Sequence, residues 1–85
     1  MEFEFDFRKS RSNQKKHGVD FFRAQKLWND PDLVAVPARA TDEPRILIVA
    51  RIEGVHSAIV TDRGDRLRII SVRRSRKEEV ELYEG

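Results

Sequence analysis

The sequence predicts an α+β fold: two helices near the N-terminus, an antiparallel sheet and a C-terminal helix, in the order β-α-α-β-β-β-β-α. Three observations predict it. Capping and stop residues (Asp6, Gly18, Asp20) bracket two helical segments before Pro31. After Pro31 the chain changes to short apolar runs of strand length separated by turn residues. The connections between those runs are too short for parallel crossovers, so the strands pair antiparallel.

Taken in order, residues 2–5 alternate Glu-Phe-Glu-Phe, the period of a half-buried strand. Asp6 is placed to N-cap a helix running to about Lys16. Gly18 ends it, because glycine takes the left-handed conformation cheaply. Asp20 caps a second helix that buries Phe21, Ala24, Leu27 and Trp28 at helical spacing, and Asn29-Asp30-Pro31 stops it. Leu33 to Val36 is a short apolar strand, and Ala38 to Pro44 a polar loop. Arg45 to Glu53 is a longer, nearly continuous apolar strand, expected to be central in its sheet. Glu53-Gly54 turns the chain into a strand over Ser57 to Thr61, and Asp62-Arg63-Gly64-Asp65 turns it again. In the last strand, Arg66 to Arg73, strict alternation puts Leu67, Ile69, Ser71 and Arg73 on one face and Arg68, Ile70 and Val72 on the other. Ser75-Arg76-Lys77-Glu78 reads as a capping box, Ser75 at the N-cap and Glu78 three residues in, opening a helix through Tyr83.

At 85 residues the chain makes a single domain, residues 1–85. A core of that size rarely supplies more than about 3–5 kcal/mol of net stability. There is no cysteine, hence no disulfide framework and no thiolate metal site, which fits a reducing cytoplasm. The opening residues are acidic and alternating, unlike a signal peptide. The longest apolar run, Ile46 to Ala50, is far short of the roughly 20 residues that span a bilayer. The expected location is therefore cytoplasmic, with no membrane partner.

The formal net charge is only +2, but its distribution is uneven. Residues 8–26 hold seven basic side chains against Asp20, and residues 63–77 hold seven against Asp65, whereas the tail carries Glu78, Glu79, Glu81 and Glu84. Single charges of this kind are ordinary solvated surface; two arginine-rich clusters fit a polyanion.

Metal chemistry is poorly supported. His17 and His56 are far apart in sequence, with no HxH or HExxH spacing. Glycine-rich phosphate loops and a serine elbow are also missing. The remaining set of Arg, Lys, His, a few carboxylates and Tyr83 suits RNA cleavage without a cofactor. RNA brings its own nucleophile, the 2′-OH, and needs from the protein a base, an acid and cations for the charge building on the phosphoryl oxygens. Arginine stays charged and binds phosphate through two N–H groups. His17 stands at a helix end, where the dipole favours its charged form and Lys15 and Lys16 oppose it, a setting for an acid or base as well as for a simple C-cap.

The segments Phe5-Asp6-Phe7-Arg8-Lys9, Asn13-Gln14-Lys15-Lys16-His17-Gly18-Val19 and Phe21 together resemble the opening of the BrnT family of bacterial toxins, roughly W-D-x-x-K-x-x-x-N-x-x-K-H-G-(V/I)-x-F. Asp30-Pro31 resembles that family's D-P segment, Glu43-Pro44-Arg45 its E-x-R, and Val60 through Arg73 its V-x-x-T-x-R…(I/L)-R-I-I-S-x-R stretch. The resemblance runs along nearly the whole chain in the same order, with Phe5, Phe7 and Ala50 standing where the family usually has Trp, Pro and Gly.

It implies a RelE-like fold and a metal-independent endoribonuclease toxin that arrests growth. It also implies neutralisation by a BrnA-like ribbon-helix-helix antitoxin in a hetero-oligomer, with operator DNA bound only through that complex. The alternative is a non-catalytic module that binds nucleic acid or the antitoxin in operon autorepression. Carried onto this sequence, the candidates are His17, Glu43, Arg45, Arg63 and Arg73 for catalysis and Lys16, Arg68 and Tyr83 for RNA binding. Glu43 or His17 would act as base, His17 or Tyr83 as acid, and Arg45, Arg63 and Arg73 would hold the scissile phosphate, with Arg73 aimed at the N-terminal region of the last helix. Each has a plain structural alternative: Glu43 with Arg45 as a salt bridge, Arg68 paired with a carboxylate across the sheet, Tyr83 packing the last helix.

Overall fold

The computed structural model describes residues 2–38 and 43–85; most of the polar loop expected at 38–44 lies outside them. The elements are β1 (Glu2–Glu4), α1 (Phe7–His17), α2 (Phe21–Ala24) running into a 3₁₀ turn (Gln25–Asn29), β2 (Val34–Ala38), β3 (Arg45–Arg51), β4 (Val55–Asp62), β5 (Arg66–Arg74) and α3 (Lys77–Glu84). They make one five-stranded sheet in the order β1-β5-β4-β3-β2. Strands β2 to β5 are antiparallel, as their short connections require. β1 departs from the all-antiparallel expectation: it lies parallel to β5, Glu2 to Glu4 against Arg66 to Arg68. Everything between them in the chain serves as the crossover, so the length rule that forbids parallel hairpins does not apply to this pair.

The helix signals act where the sequence places them. The Asp6 carboxylate accepts the Arg8 and Lys9 N–H groups at 2.8 and 3.3 Å. Gly18 at φ 75° closes α1 and donates its N–H to the Gln14 carbonyl. Asp20 accepts the Arg23 N–H at 2.8 Å, but α2 keeps only one α-helical turn before tightening to 3₁₀ geometry. Phe21, Ala24 and Leu27 are fully buried, while Trp28 stays half-buried with its ring edge-on to Phe3, centroids 4.8 Å apart.

These side chains cover one face of the sheet, where Ile48, Ala50, Ala58, Val60, Ile69 and Val72 complete the core. Ile69 and Val72 are three apart, so they share a face only because the ladder slips: Ile59 pairs with Ser71 and Val60 with Ile69, which leaves Ile70 unopposed. This β-bulge corrects the strict alternation expected of β5. Leu67 and Ile69 point with Val72 and Arg74 toward α1 and α2. Arg68, Ser71 and Arg73 point to the opposite face, where α3 packs.

Two buried polar residues of α1 tie it to its neighbours, Asn13 to the sheet and Ser10 to α2. The Asn13 amide donates to the carbonyls of Val19 and Val72 at 2.8 and 2.7 Å, and its oxygen accepts the Val72 N–H at 3.2 Å. It thus takes the place of a strand partner on β5 beyond the reach of the short β1. The Ser10 hydroxyl accepts the Phe21 N–H at 2.8 Å. At α3 the expected capping box is displaced by one residue: Arg76 is the N-cap and its N–H donates to Glu79 at 2.8 Å. Ser75 instead donates its hydroxyl to the Ser57 oxygen at 2.7 Å, and Ser57 donates in turn to Glu79 at 2.8 Å.

Candidate active site

α1 ends on His17, and Gly18 swings the chain away, which leaves the imidazole at the rim of a pocket of about 170 Å³. The facing wall comes from the β3–β4 hairpin and the end of β5: Ile52, Glu53, His56 and Arg74, with Arg23 of α2 at the side. Register explains the meeting. His56, Ala58 and Val60 alternate toward α1 on β4, and His56 pairs with Arg74 across the ladder. The bulge at Ile70 is what turns Arg74, rather than Arg73, into this pocket.

The hairpin is shaped to hold these groups. Glu53 and Gly54 both take positive φ, 47° and 121°. A side chain on Gly54 would come within 3.2 Å of the Arg74 guanidinium, so the glycine leaves room for it. The His56 Nδ1 lies 3.1 Å from the Gly54 carbonyl. A carbonyl can only accept, so Nδ1 is the donor in this contact and Nε2 is the nitrogen free to face the pocket. Glu53 and Arg23 pair at 2.8 Å with both side chains well exposed, a contact that adds little stability but orients Arg23. The pocket therefore combines two imidazoles with two guanidinium groups, one of them paired with the Glu53 carboxylate. That set can take a proton, return one and hold a phosphoryl group between cations. It is smaller than a drug-sized site, a fit for one phosphate and its sugar.

Lys16 lies beside it. With Lys9, Ser12 and Asn13 it lines a second concavity of about 210 Å³ that shares His17 and opens along Ile70 and Ser71 of β5.

The other sequence candidates are not gathered here, and the arginines expected around one phosphate are not brought together. Arg73 does reach the start of α3, but the anion it finds belongs to the chain. Its two terminal nitrogens donate to Glu79 at 2.6 and 2.7 Å. That ion pair raises the Arg73 pKa and pulls the Glu79 carboxyl down to about 2. Arg68 donates to Glu4 at 2.8 Å across the parallel β1–β5 pair, the structural alternative for that residue. Glu43 pairs with Arg63 at 3.8 Å rather than with Arg45. Arg45 and Arg63 sit at the opposite end of the β3–β4 hairpin from His56, about 20 Å away at the rise of a strand. The Tyr83 hydroxyl donates to Asp30 at 2.6 Å, which raises its pKa and commits its proton. Asp30 also accepts the N–H groups of Asp32 and Arg51, and Tyr83, first among these donors, holds the Asp30 carboxyl below its usual range.

Sequence reasoning missed His56, Arg23 and Arg74. The available signal was His56 itself: a polar residue two before Ala58 and four before Val60, on the inward face of an apolar strand.

A family model described as "Ribonuclease toxin, BrnT, of type II toxin-antitoxin system" matches residues 5–79. No curated protein matches the chain in sequence. Among solved structures, the crystal structure of the Brucella abortus ribonuclease toxin, BrnT, is similar with a TM-score of 0.66 and 21% identity, over 91% of this chain and 99% of that one. At that identity the likeness speaks for the fold.

Proposed function

The chain belongs to the BrnT family of ribonuclease toxins of type II toxin–antitoxin systems, and from that premise we propose that it cleaves RNA at the pocket between His17 and His56 without a metal ion. The observation that carries this reading is the convergence of two imidazoles and two guanidinium groups, from four separate elements, on one small pocket. The His56 Nε2 takes the proton from a ribose 2′-OH. The 2′-oxygen attacks the adjacent phosphorus and the bond to the 5′-oxygen breaks. His17, at the C-terminal end of α1, gives a proton to that leaving oxygen. Arg23 and Arg74 hold the phosphoryl oxygens as charge accumulates. The products are a 2′,3′-cyclic phosphate and a free 5′-OH, and the two histidines exchange protonation states. Lys9 and Lys16 hold a flanking phosphate. DNA lacks the 2′-OH and is not cut.

Free toxin of this kind arrests growth. Its partner is a BrnA-like ribbon-helix-helix antitoxin whose acidic surface covers the cationic pocket, and operator DNA is bound through that complex.

The test is purified protein with single-stranded RNA in excess EDTA. Cleavage to a cyclic phosphate is expected, with His17→Ala and His56→Ala each slower by about a hundredfold or more. RNA that is bound but left intact would make the chain a nucleic-acid-binding module. A 5′-phosphate product would mean attack by water and refute the mechanism.

A further inference from the structure

Two of the largest apolar side chains lie on the surface together: Phe7 is 64% and Phe22 59% exposed. Their rings are nearly parallel, 15° apart with centroids at 6.0 Å. Both are held by Phe5, whose ring meets each of them edge-on at 5.5 and 5.0 Å. Phe5 is itself anchored edge-on to the buried Phe21 at 5.6 Å. The pair is thus a rigid platform. It walls a concavity of about 400 Å³ whose remaining lining is polar: Ser10, Arg11, Gln14 and Asp20. Ser10 and Asp20 are occupied by the Phe21 and Arg23 N–H groups. Gln14 offers a donor and an acceptor, and Arg11 a cation.

We infer that Phe7 and Phe22 form a nucleobase-stacking subsite that seats an unpaired RNA base beside the cleavage pocket; the inference rests on the reading of the chain as an RNA-cleaving protein. Three features point to RNA as the occupant. Flat, parallel, exposed rings suit the faces of bases, and every base has one. The surrounding charge is complementary to a phosphate backbone: α1 carries Arg8, Lys9, Arg11, Lys15 and Lys16 and no carboxylate. The subsite also lies in line with the pocket. Gln14 borders one and His17 the other, and Asp20 one and Arg23 the other. The rise of α1 puts Phe7 about 15 Å from His17, within reach of a few nucleotides of single strand. Stacking there would select single-stranded over paired RNA, since a paired base has both faces covered.

The experiment uses a short single-stranded 2′-O-methyl RNA, which blocks cleavage, carrying fluorescent 2-aminopurine at successive positions, and a matching probe with an abasic site. Wild-type protein is expected to bind and quench 2-aminopurine at one position upstream or downstream of the scissile site. Phe7→Leu and Phe22→Leu, which keep an apolar side chain, are expected to weaken binding roughly tenfold and abolish the quench. Phe7→Tyr restores both, and the abasic probe shows no difference among the proteins. Each variant is checked by thermal unfolding, and the exposure of both rings predicts little change. Equal affinity of wild type and both Leu variants overturns the proposal. So does an equal loss with the abasic probe, or loss of antitoxin binding with RNA affinity retained, which would assign the face to the protein partner. Ring-dependent binding by a wild-type protein that leaves ordinary RNA intact would refute the catalytic reading and not this one.

Discussion

Replacing Glu79 with glutamine tests whether Arg73 serves the fold through its ion pair. Glu79 collects four hydrogen bonds: two from Arg73 at 2.6 and 2.7 Å, and one each from the Ser57 hydroxyl and the Arg76 N–H at 2.8 Å. Its side chain is 12% exposed and that of Arg73 26%. The Arg73 contact is the main reason that the carboxyl titrates near 2 instead of 4.5. A carboxyl whose pKa is depressed on folding stabilises the fold above its unfolded pKa, and that contribution is lost as the pH falls through the folded value. The shift corresponds to about 3 kcal/mol, and solvent at the Arg73 end reduces this to about 2 kcal/mol. In a domain of this length the change lowers Tm by about 10 °C. Glutamine keeps an acceptor but turns an NH₂ group toward the guanidinium. Urea unfolding at pH 7 is expected to show Glu79→Gln less stable than wild type by about 2 kcal/mol, the gap shrinking to about half by pH 3. Arg73→Lys, which keeps the charge but only one of the two contacts, falls between them and retains RNA cleavage. A gap under about 0.5 kcal/mol at pH 7, the scatter of ordinary surface changes, would refute this reasoning. So would a gap that does not narrow with acid.

Other substitutions probe the remaining contacts. Asn13→Ala removes three bonds to buried backbone groups and is expected to cost about 3 kcal/mol by urea unfolding; a loss no larger than that of an exposed α1 residue would contradict its bracing role. Gly18→Ala has room for its methyl group, so it carries only the left-handed backbone penalty, about 1 kcal/mol, read from the same unfolding curves. Tyr83→Phe is expected to leave cleavage unchanged while the Asp30 carboxyl moves up toward its usual range in an NMR titration. A loss of about a hundredfold in rate would return Tyr83 to the chemistry as a general acid.

Much of the fold is written locally. Asp6 and Gly18 state where α1 begins and ends and Asp20 where α2 begins, and the alternation of Glu2 to Phe5 states that β1 is half-buried. These are signals within one turn or one pleat. The site is harder to read because it depends on register. A one-residue slip reverses the facing of every residue after it, and the slip at Ile70 is set by packing against β4, not by any turn signal in β5. It exchanges Arg73 and Arg74 between the two faces, so the arginine carried over from the family pattern is the one bound to Glu79. The parallel β1–β5 contact is equally silent, since it joins residues more than sixty positions apart. Ser75 misled for a related reason: its hydroxyl had a better partner in Ser57 than in its own helix.

The pairing of β1 with β5 also sets an order of events during synthesis. Residues 2–4 have no strand to join until residues 66–68 are made, and Asn13 waits for Val72 in the same way. Contacts of this sequence separation make folding late and cooperative. His17 and Arg23 are made early, but His56 and Arg74 leave the ribosome long after them, so a nascent chain carries only half of the proposed pocket. On the proposed mechanism, cleavage is thereby postponed until nearly the whole domain has been released, beside ribosomes that are themselves built of RNA. That delay gives a partner protein time to meet the finished surface as it first forms.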